Sequence, residues 1–443
     1  MYAKLVLTLL FGLLLTLPSV AAPVAEPQET VPAGWTHRPV MEHFTSLGCP
    51  PCMSIDLDVG RLWTDYRDEP EVPWTYVSFH QRNGAYADDE FASKEAKQRY
   101  EHYVVQGTPD AQFDGGYIEE LGGGDGTYET YLDHYTDSGE REVKPTELRV
   151  WQEFREDRFV FRVNLTYLGD GGLHDPFIDP DELEPAVYLF VVEDDIMAWS
   201  SEEGKEVMQH NTHRETALHD ERPGTMQPGE EWSTEVEWVI PDIIDYVDGH
   251  EDRDGNPQEG AHPIPTPINP AKIEVVAVVY DLNDNSRHSS KTSNAADTPR
   301  AINSATPRST AYDEQNEPPT VTEYDDRLEG SQAVISATLA DEDGIGSAYV
   351  IYNFRNGTYD DGKWGVAPMA LEGDHGTAVV EFAAGDPVWY RILLVDGKGG
   401  FAATDARQVE GTGGGDDAEE ALPGPGITLA LLALAGISLR RRV

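Results

Sequence analysis

The 443-residue sequence predicts a multidomain chain: a small α/β domain, then two all-β sandwiches, then a C-terminal transmembrane segment. Three observations indicate this fold class. Strand-like and helix-like segments alternate over residues 37–138, and short β-prone runs separated by Gly, Pro and Asp fill 145–300 and 318–409. An apolar stretch at 422–439 precedes three arginines. At roughly 150 residues per domain, the length allows about three domains.

Charge and composition exclude two classes of partner. Lys and Arg number 32 and Asp and Glu number 81, which leaves a net charge of −49 with His neutral. Nucleic-acid binding needs clustered cations, and an anionic lipid surface would repel this chain. Hydrophobic residues make up 39% of the sequence, which is sufficient for packed cores. We interpret the acid-rich composition as a sign of a saline habitat, where salt screens the self-repulsion.

Both ends of the chain predict an extracytoplasmic, membrane-anchored protein of the cell surface. Residues 1–22 combine Lys4, an apolar run and small residues ending at Ala22, which is typical of a secretory signal peptide; an uncleaved anchor is the alternative. An acidic, Gly-rich linker over 411–421 precedes the tail of 422–443, whose apolar stretch approaches the roughly 20 residues that span a bilayer. The tail also resembles sorting signals of archaeal and bacterial surface proteins, which implies its removal and replacement by a lipid.

Within 37–138, local patterns predict a strand, a helix, a strand, a helix, a hairpin and a last helix. Apolar residues at helical spacing indicate the helices, aromatic and β-branched runs indicate the strands, and Asp114-Gly115-Gly116 indicates the hairpin turn. The predicted positions, in that order, are 38–45, 49–66, 74–79, 88–104, 111–116 and 128–135.

Cys49 and Cys52 are the only cysteines, and they lie at the predicted junction of the first strand and helix. Backbone N–H groups and the positive end of the helix dipole would favour the thiolate of Cys49, which we predict to be an exposed nucleophile. Cys52, about one turn into the helix, is placed to attack a mixed disulfide and release the partner. Pro50 and Pro51 between them remove two N–H donors and stiffen the turn.

Three other interpretations of this Cys pair stay open. The first is a structural disulfide, although so short a loop constrains the unfolded chain little. The second is half of a zinc site, which only His could complete because a second Cys pair is missing. The third is a chance pairing in an inert domain. We favour redox activity, because an extracytoplasmic Cys-x-x-Cys between a strand and a helix is a strong signal.

Residues 37–138 resemble the thioredoxin superfamily in two motifs. Cys49-Pro50-Pro51-Cys52 matches its redox motif, and Gly107-Thr108-Pro109 matches its loop with a cis-proline beside the active site. The resemblance implies that Thr108 offers backbone hydrogen bonds to a substrate peptide and that Pro109 packs against the sulfurs.

A nearer resemblance is to secreted surface proteins that join a thioredoxin-like domain to β-sandwich domains. The pattern Glu-x-Phe-Thr-Ser-x-x-Cys-x-x-Cys, from Glu42 to Cys52, carries it. Thioredoxins have a buried Asp six residues before the first Cys that assists proton transfer, and this chain has His43 there. Glu42, one residue away and on the opposite strand face, and His80, at the end of the second strand, are the weak candidates for the proton acceptor of Cys52.

The later residues predict two immunoglobulin- or fibronectin-like sandwiches. The predicted strands are 147–154, 158–167, 186–192, 232–239 and 273–279 in the first, and 332–339, 346–352, 377–382 and 388–395 in the second. Between strands of the first sandwich, His210, His213 and His219 are weak candidates for a shared metal, provided that they lie on a helix. We favour a polar network that anchors a long insertion.

The sequence therefore predicts a membrane-tethered extracytoplasmic thiol–disulfide oxidoreductase that acts on cysteines of secreted or surface proteins. It would need no cofactor beyond the Cys49–Cys52 disulfide, and an unknown redox partner would recycle it. The alternative is a surface binding or adhesion protein in which the thioredoxin-like domain is a scaffold with a structural disulfide.

Overall fold

The computed structural model describes residues 32–67, 69, 74–81, 89, 91–155, 157–169, 182–200, 204–240, 250–251, 257–258, 268–288, 298–354, 364–383 and 386–409. The first part runs β1 (Met41–Thr45), α1 (Pro50–Tyr66), β2 (Tyr76–His80), α2 (Lys94–His102), β3 (Asp110–Phe113), β4 (Ile118–Leu121) and α3 (Thr127–Gly139). This order of elements is the one that the local patterns predict. Strand β1 is parallel to β2 and antiparallel to β3, and β3 and β4 form the hairpin.

The strands of the middle part are β5 (Thr146–Arg155), β6 (Arg158–Tyr167), β7 (Pro185–Glu193), β8 (Ile196–Ser200), β9 (Lys205–Gln209), β10 (Thr212–Glu221), β11 (Glu231–Val239), β12 (His250–Glu251), β13 (Pro257–Gln258), β14 (Ile273–Asp281) and β15 (Arg300–Ala305). A 3₁₀ turn, Pro270–Lys272, precedes β14, and helix α4 (Pro307–Glu314) follows β15. All five strands predicted for this part are present, within two residues at each end.

The last part contains β16 (Thr320–Glu329), β17 (Gln332–Ala340), β18 (Ile345–Asn353), β19 (Gly365–Pro368), β20 (Ala370–Glu372), β21 (His375–Glu381), β22 (Trp389–Asp396), β23 (Phe401–Ala403) and β24 (Arg407–Gln408). One sheet has the order β16-β17-β21-β20 and the other β19-β18-β22-β23, with β24 paired to β22. Alternate residues of the two sheets face each other across one apolar core.

The predicted fold class is wrong, because the first two parts are not separate modules. One eight-stranded sheet, in the order β15-β14-β7-β10-β2-β1-β3-β4, runs through both of them. The junction is a short parallel pairing of Thr212 in β10 with Ser78 in β2, where the Ser78 N–H donates to the Asn211 carbonyl over 2.9 Å. Strand β10 thereby covers an edge of β2 that would otherwise be unpaired. The domain boundaries at 37–138, 145–300 and 318–409 stay predictions.

Each face of the middle strands packs against a different partner. Alternate residues of β7 and β14, among them Leu189 and Ala277, bury against the three-stranded sheet β11-β6-β5. The residues between them, such as Phe190 and Val278, bury against α2 and against Phe44 of β1. Because both faces are covered, these strands are apolar along most of their length instead of alternating.

The turn between β3 and β4 is fixed by contact with β15. Gly115 has a positive φ of 69°, and a Cβ at this position would lie 2.7 Å from the carbonyl oxygen of Pro299. The Asp114 carbonyl accepts the Ala301 N–H over 3.2 Å. A glycine is therefore required where the hairpin meets the middle part.

The second error of the predicted fold class concerns the membrane. In the part of the chain that the structure describes, no helix is long and apolar enough to cross a bilayer. The structure therefore supports no C-terminal transmembrane segment. The signal peptide of 1–22, the linker of 411–421 and the tail of 422–443 lie outside the described residues.

Candidate active site

The two cysteines form a disulfide at the N-terminus of α1. Cys49 directly precedes the helix, with extended backbone angles (φ −95°, ψ 111°), and Cys52 lies in the first turn. The exposed Pro50 and Pro51 have no N–H, and the Cys52 N–H donates to the Cys49 carbonyl over 3.0 Å. Few N–H groups at this helix end are therefore free to bind the Cys49 sulfur. When the disulfide is reduced, it is mainly the helix dipole that favours the Cys49 thiolate.

The loop before β3 brings Thr108 next to Cys49. The peptide bond between Thr108 and Pro109 is cis. The carbonyl oxygen and the hydroxyl oxygen of Thr108 each lie 3.7 Å from Cys49 Sγ. In the reduced protein the hydroxyl can donate to the sulfur, and a hydrogen bond to the charged form favours the thiolate. The contact of Pro109 with the sulfurs, which the resemblance implies, stays a prediction.

Cys49 is not the exposed residue that we predict from the sequence. Its residue exposure is 1%, and that of Cys52 is 0%. Leu47 and Met53, which flank Cys49 along the chain, are buried in one apolar cluster with Phe91 and with Ile196, Ala198 and Val207 of the β8–β9 hairpin. The Ser200 hydroxyl also donates to the Leu47 carbonyl over 3.1 Å. The hairpin of the middle part therefore packs directly beside the disulfide.

A helix carboxylate occupies the polar site next to Cys52. Asp56 lies one turn after Cys52 in α1, so the two side chains share a helix face. Asp56 Oδ1 accepts hydrogen bonds from His43 Nε2 (2.9 Å) and Thr45 Oγ1 (2.8 Å). His43, the strand residue six positions before Cys49, thus holds an acid supplied by the helix. Asp56 is not among the site residues predicted from the sequence, although its position four residues after Cys52 indicates the same helix face.

His80 belongs to a second buried pair on the same face of the sheet. His80 Nδ1 lies 2.9 Å from Asp89 Oδ2, and that carboxylate oxygen also accepts the Leu47 N–H over 2.8 Å. Burial disfavours the imidazolium, but the charge of Asp89 outweighs it and raises the pKa of His80. Within the described residues, His80 Nε2 and His43 Nδ1 are buried without a hydrogen-bond partner. The pair links β2 to the loop that leads into Cys49.

Glu42 lies on the opposite face of β1 and has a different role from the one considered in the sequence analysis. Its Oε1 accepts hydrogen bonds from Arg99 Nη2 and from the Tyr280 hydroxyl, each over 2.7 Å, and from the Tyr103 hydroxyl. Burial opposes the carboxylate, but the Arg99 guanidinium outweighs this and holds the pKa of Glu42 below its ordinary value. Glu42 therefore links β1 to α2 and to β14 through hydrogen bonds, on the face of β1 opposite to His43 and the disulfide.

An acid follows Pro109 directly. Burial raises the pKa of Asp110 to about 8, and the nearby Glu119 carboxyl adds to this effect. The Gln112 amide donates to Asp110 Oδ1. Asp110 is therefore protonated at neutral pH, so it adds no charge to the cis-proline loop.

The three histidines considered for a metal contact different partners. His210 precedes β10, whereas His213 and His219 lie within it, so the helical spacing that a shared metal requires is absent. Burial lowers the pKa of His213 to about 3, and its Nε2 lies 3.0 Å from the Thr216 hydroxyl. The His219 ring contacts Tyr188 at 5.3 Å between centroids.

His210 instead joins an ion-pair network on α1. Its Nδ1 lies 3.0 Å from Asp194 Oδ1 and 2.9 Å from Asp195 Oδ1. Asp194 Oδ2 accepts from Trp63 Nε1 (3.0 Å) and Arg67 Nη1 (3.2 Å). Ligand atoms of both acids and His210 lie within 4.8 Å of one another, a spacing that a metal ion could use. Arg67 already neutralises the charge of Asp194. We therefore interpret His210, Asp194 and Asp195 as a polar anchoring network and not as a metal site.

The network gives a testable pH dependence. Burial opposes the His210 cation, but hydrogen bonds and charge from Asp194 and Asp195 raise the pKa of His210 to about 9. A group whose folded pKa is raised stabilises the fold fully below its unfolded pKa, about 6.5, and stops doing so as the pH rises through the folded value. We expect His210→Gln to lower Tm by roughly 4 °C at pH 6, with the difference gone by about pH 10.

Calorimetric melts of the wild-type chain and the variant between pH 6 and pH 10 measure this difference. His375→Gln is the control, because His375 is exposed in the last sandwich. A His210→Gln deficit that is the same at every pH would mean that the neutral imidazole provides the contact.

No protein-family model matches the chain, and no curated protein matches it. Among solved structures, the chain is similar to HBP35 of Porphyromonas gingivalis at 13% identity, over 84% of this chain and 98% of that one, with a TM-score of 0.41. It is also similar to a DUF3823 family protein from Bacteroides ovatus (7% identity, 60% and 98% coverage, TM-score 0.17) and to latent PorU from Porphyromonas gingivalis (11%, 61% and 24%, TM-score 0.17).

Proposed function

We propose that the protein is an extracytoplasmic thiol–disulfide oxidoreductase, with Cys49 as nucleophile and Cys52 as resolving cysteine. One observation carries the proposal: the Cys49–Cys52 disulfide lies at the N-terminus of α1, with both oxygens of Thr108 at 3.7 Å from Cys49 Sγ. A helix dipole and a hydroxyl donor on one sulfur lower the free energy of its thiolate, which is the reactive form. A structural disulfide needs neither.

In the reducing direction, the exchange proceeds in two steps. The Cys49 thiolate attacks one sulfur of a client disulfide, that S–S bond breaks, and the departing client sulfur takes a proton. The Cys52 thiol then loses its proton, and its thiolate attacks Cys49 Sγ and releases the second client thiol. Two electrons pass from the Cys pair to the client, and the reverse sequence oxidises a client dithiol.

The acceptor for the Cys52 proton in this proposal is the Asp56–His43 pair. Asp56 is one helical turn from Cys52, and its carboxylate is held by His43 and Thr45 at 2.9 and 2.8 Å. An acid fixed by two donors keeps its position during exchange, which general-base assistance requires. Glu42 is bound to Arg99 on the opposite face and is not available for this role.

We expect Asp56→Asn to slow the resolving step by about 10- to 100-fold at pH 7 and to leave the attack of Cys49 unchanged. Asparagine keeps the shape and can still accept a hydrogen bond, but it does not take up a proton. The measurement is the lifetime of the mixed disulfide with glutathione, followed by quenched-flow mass spectrometry.

Asp58→Asn is the matched control, since the half-buried Asp58 lies on the same helix and pairs with the exposed Arg61. Loss of the Asp56→Asn defect above about pH 9, where the Cys52 thiol ionises unaided, is part of the expected result. Equal lifetimes for the two variants at pH 7 would rule out Asp56 as the acceptor.

The clients that this chemistry implies are cysteine-containing secreted or surface proteins, and a separate redox protein would recycle the Cys pair. The extracytoplasmic location is supported by the signal-peptide pattern of residues 1–22. A second function, a binding or adhesion protein with a structural disulfide, is favoured by one observation, the 1% exposure of Cys49.

The pKa of the Cys49 thiol distinguishes the two functions. We expect the reduced full chain, alkylated with iodoacetamide over a pH series, to give a Cys49 pKa clearly below the ordinary value of about 8.5. Thr108→Val, which removes only the hydroxyl donor, should move that pKa back toward the ordinary value. A Cys49 that resists alkylation in the folded chain, or titrates above 8.5, would favour the scaffold.

A further inference from the structure

A cleft of about 380 Å³ opens where the first, middle and last parts of the chain meet. Its walls come from the C-terminal end of α1, the start of β14, helix α4 and strands β22 and β23. The volume lies in the range of about 300–1,000 Å³ that is usual for small-molecule sites. The apolar residues of its lining include Pro307, Tyr312 and Phe401.

Four cations line this cleft, although the chain has only 32 Lys and Arg against 81 acids. Two of them are matched by acids of the same cleft. Arg308 Nη2 lies 2.6 Å from Glu274 Oε1, and Arg67 pairs with Asp194 of the ion-pair network. The other two cations are Lys272 and Arg391.

Lys272 and Arg391 form no salt bridge within the described residues. Lys272 Nζ donates to the backbone carbonyl of Asp195, and Arg391 Nη1 donates to the carbonyl of Thr404 over 3.0 Å. Arg391 Nε is buried without a hydrogen-bond partner in that part of the chain. These two half-buried cations are thus hydrogen-bonded to neutral carbonyls, while Asp194 and Asp195 act on both through their charge without forming an ion pair with either.

The two cations also repel each other. Burial and the charge of Arg391 hold the pKa of Lys272 below its ordinary value. Burial likewise lowers the pKa of Arg391, and the charges of Asp405, Asp195 and Asp194 oppose this without forming an ion pair. An anion bound between the two side chains would remove the repulsion and supply the missing acceptor for Arg391 Nε.

We propose that this cleft binds a small organic anion, with a carboxylate or phosphate group between Lys272 and Arg391 and an apolar body against Tyr312, Phe401 and Pro307. The planar guanidinium of Arg391 suits the two oxygens of either group. The net charge of −49 repels anions from most of the surface, and Asp194, Asp195, Glu274 and Asp405 line this cleft beside its four cations. Anion binding here therefore depends on the two cations that form no ion pair with those acids. The site is separate from Cys49 and does not depend on the proposed redox function.

Titration calorimetry of the full chain with benzoate, phenyl phosphate, inorganic phosphate and benzamide tests the proposal. Benzamide has the shape of benzoate without its charge, and inorganic phosphate has the charge without the apolar body. We expect saturable binding of benzoate or phenyl phosphate, with benzamide and inorganic phosphate each weaker by about tenfold or more. The comparison of the two aromatic anions identifies the preferred head group.

Arg391→Gln and Lys272→Gln should each weaken binding of the aromatic anion by about tenfold or more, and the exposed Arg222→Gln should leave it unchanged. Because each substitution relieves the repulsion, we expect both variants to keep a Tm at or above that of the wild type without ligand. If Arg391→Gln does not fold, the affinity of Lys272→Gln for the aromatic anion tests the proposal by itself. Equal binding of benzamide and benzoate, no saturable binding of either aromatic anion, or unchanged affinity in a folded variant would overturn the proposal.

Discussion

Replacing Cys49 by serine is expected to abolish thiol–disulfide exchange, with a loss of at least about a thousandfold in rate. Cys49 is the sulfur contacted by Thr108 and the residue at the start of α1, so no other group in the site can make the first attack. Cys52→Ser should behave differently. Its Cys49 still attacks, but without a resolving thiol the mixed disulfide with the client accumulates.

The assay is reduction of insulin by the prereduced full chain, followed by non-reducing electrophoresis for the trapped complex. Ser54→Ala is the control, because Ser54 is exposed in the same turn of α1 and its hydroxyl donates to the Pro51 carbonyl. If Cys52→Ser traps no client while the wild-type chain is equally inactive, the pair is a structural link and the adhesion alternative gains support.

Replacing Glu42 by glutamine is expected to cost about 3–5 kcal/mol in the free energy of unfolding. The substitution leaves the Arg99 guanidinium fully buried without its counter-charge, beside Tyr103 and Tyr280. An exposed pair gives the contrast. Glu153 binds Arg155 and Arg162 near the surface, so Glu153→Gln should cost no more than about 1 kcal/mol.

Urea unfolding of the two variants at pH 7 measures both values. The pH dependence follows from the lowered pKa of Glu42: its stabilisation is present above the unfolded value of about 4.3 and is lost as the pH falls through the folded value. The wild-type and Glu42→Gln curves should therefore converge in acid. A deficit of less than 1 kcal/mol for Glu42→Gln would mean that Arg99 finds another partner or water.

This prediction also tests the shared sheet. Tyr280 belongs to β14 of the middle part, and its hydroxyl lies 2.7 Å from Glu42 Oε1 in β1. A weakened Glu42 network should therefore destabilise both parts together. Because the same contacts join residues 37–138 to the middle part, the redox measurements use the full chain.

Local patterns in the sequence predict most of the strands, because their signals lie within ten residues. The strand Arg158–Tyr167 is predicted with its exact ends, since turn residues flank a β-prone run. The pairing of Thr212 with Ser78 is different, because it joins residues far apart in sequence through a short parallel bridge and the hydrogen bonds of Asn211. No periodicity within either strand carries that information, so the sheet is wrongly divided into modules.

In the active site too, residues within a short motif are predicted from the sequence, whereas contacts between distant parts of the chain are not. The Cys pair and Thr108 are identified from motifs, but Asp56 is one of 81 acids and its partner His43 lies on another element. The exposure of Cys49 is wrongly predicted because the hairpin that packs beside it comes from residues 196–209, more than 140 positions later. Tertiary contacts of this kind decide burial and proton acceptors, and a single sequence does not encode them in any local pattern.

The central claim is that Cys49–Cys52 is a redox-active pair, and its equilibrium reduction potential tests this most directly. The full chain is equilibrated with a glutathione or dithiothreitol redox series, and the fraction of reduced Cys49 is measured by alkylation and mass spectrometry. We expect a reversible two-electron couple between about −120 and −270 mV, the range of known exchange proteins. A potential below about −300 mV, or a disulfide that never equilibrates in the folded chain, would contradict it and mark the pair as a structural link.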